Sequence, residues 1–200
     1  MRVINVLREK CTTSATDYGT LHALSSVVLL RGLNVGGHRR FRPAALAAAL
    51  QHLGAVNIGA AGTLVIRQRV GRRQLHAEVA RRLPFDAEIV ICEGKDIRRL
   101  LTQRALTWRR VEAGVVRFVS VLSRPPRAAP RLPVQFPPRG RWLLKVLARD
   151  GRFVVGMYRR HMKVIGYLGA LDRLFGVPAT TRNWNTMTAI AKVLDDRPTG

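Results

Sequence analysis

"VVLLRGLNVGGHRRFRPAALAAALQHLG", Val27 to Gly54, passes from an apolar segment through a glycine loop and a basic patch into an alanine-rich stretch. Its opening, "SVVLLR" from Ser26 to Arg31, is short, apolar and β-branched, which predicts a buried strand. Pro43 stands where a first helical turn accepts it, Leu46, Leu50 and Leu53 recur at helical spacing, and Gly54 closes the segment. A strand that ends in a glycine loop and opens a helix can turn backbone N–H groups toward an anion. Neither G-x-G-x-x-G nor G-x-x-x-x-G-K-[ST] is spelled here, so Gly36 and Gly37 read first as the turn through which strand meets helix.

Working outward, "AVNIG" and "GTLVIRQ" predict a hairpin around Ala60-Ala61-Gly62. "RRQLHAEVARRL" carries Leu75, Val79 and Leu83 as a helical stripe, and "DAEIVICE" (Asp86 to Glu93) is again a strand. The order β-α-β-β-α-β predicts a ferredoxin-like unit, an antiparallel four-stranded sheet with two helices on one face. "GKDIRRLLTQRAL" adds a helix from about Asp96. Three strands follow, "GVVRFVSVL", "RWLLKVLAR" and "GRFVVGMYR", the last two flanking the hairpin signal Asp150-Gly151. Ser123 to Gly140 holds six prolines and reads as a surface loop of polyproline II character. Helices "VIGYLGALDRLFG" and "NTMTAIAKVLDD" complete the chain, the second capped by Asn185 or Thr186. The expected fold class is α+β, with an N-terminal extension (residues 1–25), a ferredoxin-like subdomain (26–110) and a smaller C-terminal α+β subdomain (111–200).

The 200 residues are 47% hydrophobic, enough for an ordinary core, and carry 35 Lys+Arg against 12 Asp+Glu, a formal charge of +23. Thirty of the 35 cations are arginine, whose planar fork suits phosphate and carboxylate. Such a charge favours non-specific adhesion to nucleic acid at low salt; a GC-rich coding sequence would leave the same arginines as solvated surface. No carboxylate lies between Tyr18 and Ala77, so that third of the chain supplies neither an acid/base pair nor a carboxylate metal site. Cys11 and Cys92 are far apart, and Cys92 sits in an apolar run as a small buried hydrophobe, which fits a reducing cytoplasm. Neither a signal peptide nor a run of ~18 apolar residues is seen, so a soluble cytoplasmic protein without a membrane partner is expected.

"GVPATTRNWNTMTAI" (Gly176 to Ile190) is the densest polar stretch. Thr180, Thr181, Arg182, Asn183, Trp184 and Asn185 offer hydroxyls, a guanidinium, carboxamides and an indole N–H just before a helix N-terminus that favours negative charge. Such a segment can bind an anion. It can equally be a capping and packing segment, with Trp184 filling the core and Asn183 and Asn185 tying down loop backbone.

"LLRGLNVGG" and "GVPATTRNWNTMT" together resemble the two signatures of the domain-of-unknown-function family 1697 of bacterial proteins, and the resemblance covers Val27 to Leu194. It implies an α+β fold of two subdomains, the first resembling the ferredoxin-like unit, and no established reaction. Relatives carry a polar Gln-Ser-Gly-Asn stretch where this chain has Ala60-Ala61-Gly62-Thr63, and Lys-Leu-Thr-Asn where it has Ile165-Gly166-Tyr167-Leu168. If all four segments meet at one site in relatives, the chain keeps Arg31, Asn34, Gly36, Gly37, Thr180, Thr181, Arg182, Asn183 and Asn185 of it and has lost the neighbours that would complete it.

No nucleophile and base have a spacing that requires proximity, so whether any reaction is catalysed stays open. No Cys/His/carboxylate cluster has ligand spacing, and neither a metal nor another cofactor is expected. "SVVLLR" and "DAEIVICE" lack the aromatics on which RNA readers of ferredoxin-like shape stack bases. The leading expectation is a polar pocket holding a small anionic or phosphorylated ligand between the two signatures, with Arg31 and Arg182 brought together across an anion, water or main-chain carbonyls. Replacing Arg182 would then cost ligand binding and little stability, and replacing Trp184 the reverse. Non-specific nucleic-acid binding is the second reading, a non-catalytic protein-interaction module the third.

Overall fold

The computed structural model describes residues 25–32, 41–103, 111–128 and 130–196. The expected N-terminal extension, Ser25 apart, and Asn34, Gly36 and Gly37 lie outside the described residues. Two antiparallel sheets and five α-helices are formed among them. The first half runs β1 (Ser26–Arg31), α1 (Pro43–Ala49), β2 (Ala55–Asn57), β3 (Thr63–Ile66), α2 (Arg72–Ala80), β4 (Glu88–Glu93) and α3 (Gly94–Thr102). The second runs β5 (Val115–Leu122), β6 (Val134–Phe136), β7 (Leu144–Asp150), β8 (Phe153–Arg159), α4 (Val164–Phe175), β9 (Ala179–Asn183) and α5 (Trp184–Asp195).

The first sheet is ordered β2-β3-β1-β4. β1 lies inside it, and Val27, Val28, Leu29 and Leu30 are all sealed from solvent, because side chains alternate between two covered faces. Val28 and Leu30, with Leu64, Ile66 and Ile91, meet Leu46 and Leu50 of α1 and Leu75 and Val79 of α2. Both helices therefore cover one face. The opposite face, Val27, Leu29, Val65, Val90 and Cys92, packs on Val119, Val121, Phe153 and Val155 of the second sheet, with Ile97 and Leu100 of α3 and Met187, Ile190 and Leu194 of α5. The two halves thus share one central core. α4 covers the outer face of the second sheet through Leu171 and Phe175, against Phe118, Leu144 and Val154.

The second sheet is ordered β6-β7-β8-β5-β9, five strands where three are legible in the sequence, so it is the larger of the two sheets. The two additional strands are its edges. β6 lies within the proline-rich segment read as a loop, pairing Val134 with Val146 and Phe136 with Leu144. Prolines without an N–H to donate are tolerated on such an edge. β9 is the threonine-rich "ATTRN", read as a capping segment, and pairs Thr180 with Val121 and Arg182 with Val119. The Asp150-Gly151 signal closes β7 onto β8 with Asp150 opposite Phe153 and Gly151 at φ 56°. α3 begins two residues before the expected Asp96. Gly94 is pressed against the chain there: its N–H donates to the Ser25 carbonyl at 2.7 Å, and a Cβ would stand 2.9 Å from Leu194 Cδ2.

Candidate functional site

Because Arg182 stands opposite Val119 and Thr180 opposite Val121, both side chains leave the face of the second sheet that looks onto the first. Arg182 is only 7% exposed. Its Nε donates to Thr63 Oγ1 at 2.6 Å, Nη1 to the Thr181 carbonyl at 2.8 Å, and Nη2 to the carbonyls of Leu30 (2.9 Å), Ala61 (2.6 Å) and Gly62 (3.2 Å). Burial pushes its pKa down to about 10, so the guanidinium remains charged at neutral pH. The charge is met by main-chain and hydroxyl oxygens, and one side chain ties β9 to the end of β1 and to the β2–β3 turn.

Arg31 is handled differently. A third exposed, it donates to Glu88 at 2.9 Å and to Asp172 of α4. Its hydrogen bond to Glu88, and then the Asp172 charge, hold its pKa above the ordinary arginine range against the opposing effect of burial. Asp172 Oδ1 also accepts the Ala179 N–H at 2.9 Å, so Arg31 braces the start of β9 through this carboxylate. The two signatures do meet in space. Arg31 is met by carboxylates and Arg182 by carbonyls and a hydroxyl, and from these bonds we expect replacement of Arg182 to cost stability, where the sequence led us to expect little.

Of the other signature residues, Thr180 is buried and its Oγ1 has no partner among the described residues. Thr181 Oγ1 lies 2.6 Å from Ser120 Oγ, across the β5–β9 pair. Asn183, and neither Asn185 nor Thr186, is the N-cap of α5: its Oδ1 accepts from Thr186 N (2.8 Å) and Thr186 Oγ1 (3.0 Å). The helix starts earlier than expected because Asn183 ends β9 in extended geometry, and an extended residue with a side-chain acceptor is what a cap requires. We expect Asn183→Ala to lower unfolding free energy by about 1 kcal/mol. Urea denaturation checks this, and an unchanged midpoint would remove the cap from the stability argument.

Asn183 and Asn185 are exposed and line a surface pocket of about 470 Å³ together with Arg117, Tyr158, Arg160 and the half-buried Trp184. Arg117 Cζ lies 4.6 Å from the Trp184 ring centroid, a cation–π contact, and burial lowers the Arg117 pKa. Sequence reasoning missed Arg117, Tyr158 and Arg160. The available signal was a charge inside the apolar strand "GVVRFVSVL". Among the described residues no three His, Cys, Asp or Glu side chains come together to hold a metal, and no helix is long and apolar enough to cross a membrane.

A family model for proteins of unknown function, DUF1697, matches residues 24–136. The chain belongs to this family. The DUF1697 match runs from just before β1 into β6, so it contains Arg31, Arg117 and the Ala60–Thr63 turn, while β9 and the start of α5 lie beyond it. No curated protein and no solved structure matches this DUF1697 chain.

Proposed function

We propose that this protein binds a small anionic or phosphorylated ligand, and that the ligand enters the pocket at the start of α5. The observation that carries this reading is the pocket's charge: Arg117 and Arg160 line it, and none of its described lining residues is acidic. Like charges in a half-enclosed space favour an anion between them. Asn183 and Asn185 add carboxamides, and the first turn of α5 adds the positive end of a helix dipole. Arg31 and Arg182 act in this reading as the frame, fixing β9 so that its last residue, Asn183, stands at the rim. We read the first half, residues 26–110, as a ferredoxin-like unit and residues 111–200 as the second α+β unit that carries the pocket, with residues 1–25 an extension outside both.

The test is calorimetric titration with pyrophosphate of the wild type, Arg160→Ala and Arg117→Ala. A hydrogen bond to a charged group contributes about 1.5–3 kcal/mol, so each variant should bind at least roughly tenfold more weakly. Binding that is absent in the wild type, or undiminished in both variants, would refute the pocket.

A further inference from the structure

We infer that single-stranded nucleic acid docks on the part of the second sheet's inner face that lies beyond the shared core, with a phosphate in the Arg117–Arg160 pocket and bases against Trp142 and Trp184. The inference rests on the anion reading of the pocket and extends it to a polymer.

The register shows how this surface arises. Along β5 and β8 the pairs Val121–Phe153 and Val119–Val155 face the first sheet and are buried in the shared core. One period further along the same face come Arg117 opposite Met157, and then Val115 opposite Arg159. Lys145 of β7 stands on the other side of Met157, so Arg117, Met157 and Lys145 form one row across three strands. With strands about 4.8 Å apart, the row is about 10 Å wide. Beyond the residues packed on the first sheet, the face carries Arg117, Lys145 and Arg159 beside the half-buried Met157 and the buried Val115.

Aromatic rings are interleaved with these cations. Trp184 lies under Arg117, and Trp142 contacts both Arg159 (4.3 Å to the ring centroid) and Lys145 (4.9 Å). Both indoles are half-buried. One described carboxylate touches this band, Glu112, paired with Arg159 at 2.9 Å. Cations that follow a backbone beside rings on which bases stack are the two requirements for sequence-tolerant single-strand binding. A duplex offers no unpaired base to stack. β1 and β4 carry no aromatic residue, so the first sheet lacks the second requirement.

The experiment is fluorescence anisotropy of a labelled oligothymidylate of about 20 nucleotides, longer than the roughly 4–16 covered by comparable single-strand folds, with pyrophosphate titration alongside. Trp142 and Lys145 lie outside the pocket lining. Trp142→Ala should weaken oligonucleotide binding about tenfold with pyrophosphate affinity unchanged. Lys145→Ala, in protein whose folding is checked by its urea midpoint, should reduce the slope of log K against log salt by about 0.7. Oligonucleotide binding undiminished in both variants, or equal affinity for a blunt duplex, would overturn the inference while leaving the pocket reading intact. Oligonucleotide binding that depends on Trp142 in a protein that takes up no pyrophosphate would sustain the docking face and discard the pocket reading.

Discussion

Arg182→Met is expected to lower the free energy of unfolding by about 3–5 kcal/mol, a large share of the 5–15 kcal/mol typical of a domain. Methionine keeps much of the side-chain volume and removes every donor. The carbonyls of Leu30, Ala61 and Gly62 and the hydroxyl of Thr63 then lose the guanidinium that bridges them. Each buried polar atom left unsatisfied costs about 1–3 kcal/mol, offset in part because no charge has to be desolvated. Arg182→Lys should fall between the two, since an ammonium has three donors on one point and cannot span acceptors on β1 and on the β2–β3 turn together. Urea unfolding measures all three proteins. A methionine variant within about 0.5 kcal/mol of wild type, the range of ordinary surface substitutions, would show that the clamp is dispensable.

Gly156→Ala is the second change expected to have a large effect, about 3 kcal/mol or more, at the upper end of overpacking costs. Gly156 sits on β8 between Phe118 of β5 and Val146 of β7. A methyl group there would stand 2.5 Å from Phe118 Cζ and closer still to the Lys145 carbonyl oxygen. The ring can rotate away; the carbonyl belongs to the β7 backbone and cannot. Phe118→Leu combined with Gly156→Ala should therefore fail to restore the wild-type melting temperature. A full rescue would show that the ring alone requires glycine at this position.

The parts of the fold that could be read from the sequence are those in which burial imposes a pattern. β1 and β4 are apolar because both of their faces are covered, and α1 and α2 carry leucine and valine at helical spacing because one side of each meets the first sheet. The two strands missed are both edges, where among the described residues one side of the backbone has no neighbouring strand and prolines or threonines are acceptable. At the site, meeting of the two signatures was legible from Arg31 and Arg182, but their partners were not. Leu30, Ala61 and Gly62 contribute carbonyl oxygens, which no residue letter reports. Arg117 and Arg160 escaped notice because their proximity depends on the pairing of β5 with β8, a contact between segments about 40 residues apart.

The clamp also sets an order of events in time. Arg182 closes onto Leu30, 152 residues earlier in the chain, and onto Thr63, 119 residues earlier. At 5–20 residues per second a ribosome takes roughly 8–30 s to lay down that interval, and contacts so distant along the chain also form slowly once synthesised. Until β5 and β8 have been made, Val27, Leu29, Val65 and Val90 have no second sheet to cover them, and nascent chains present an open apolar surface to one another. Like net charge on such chains opposes their association.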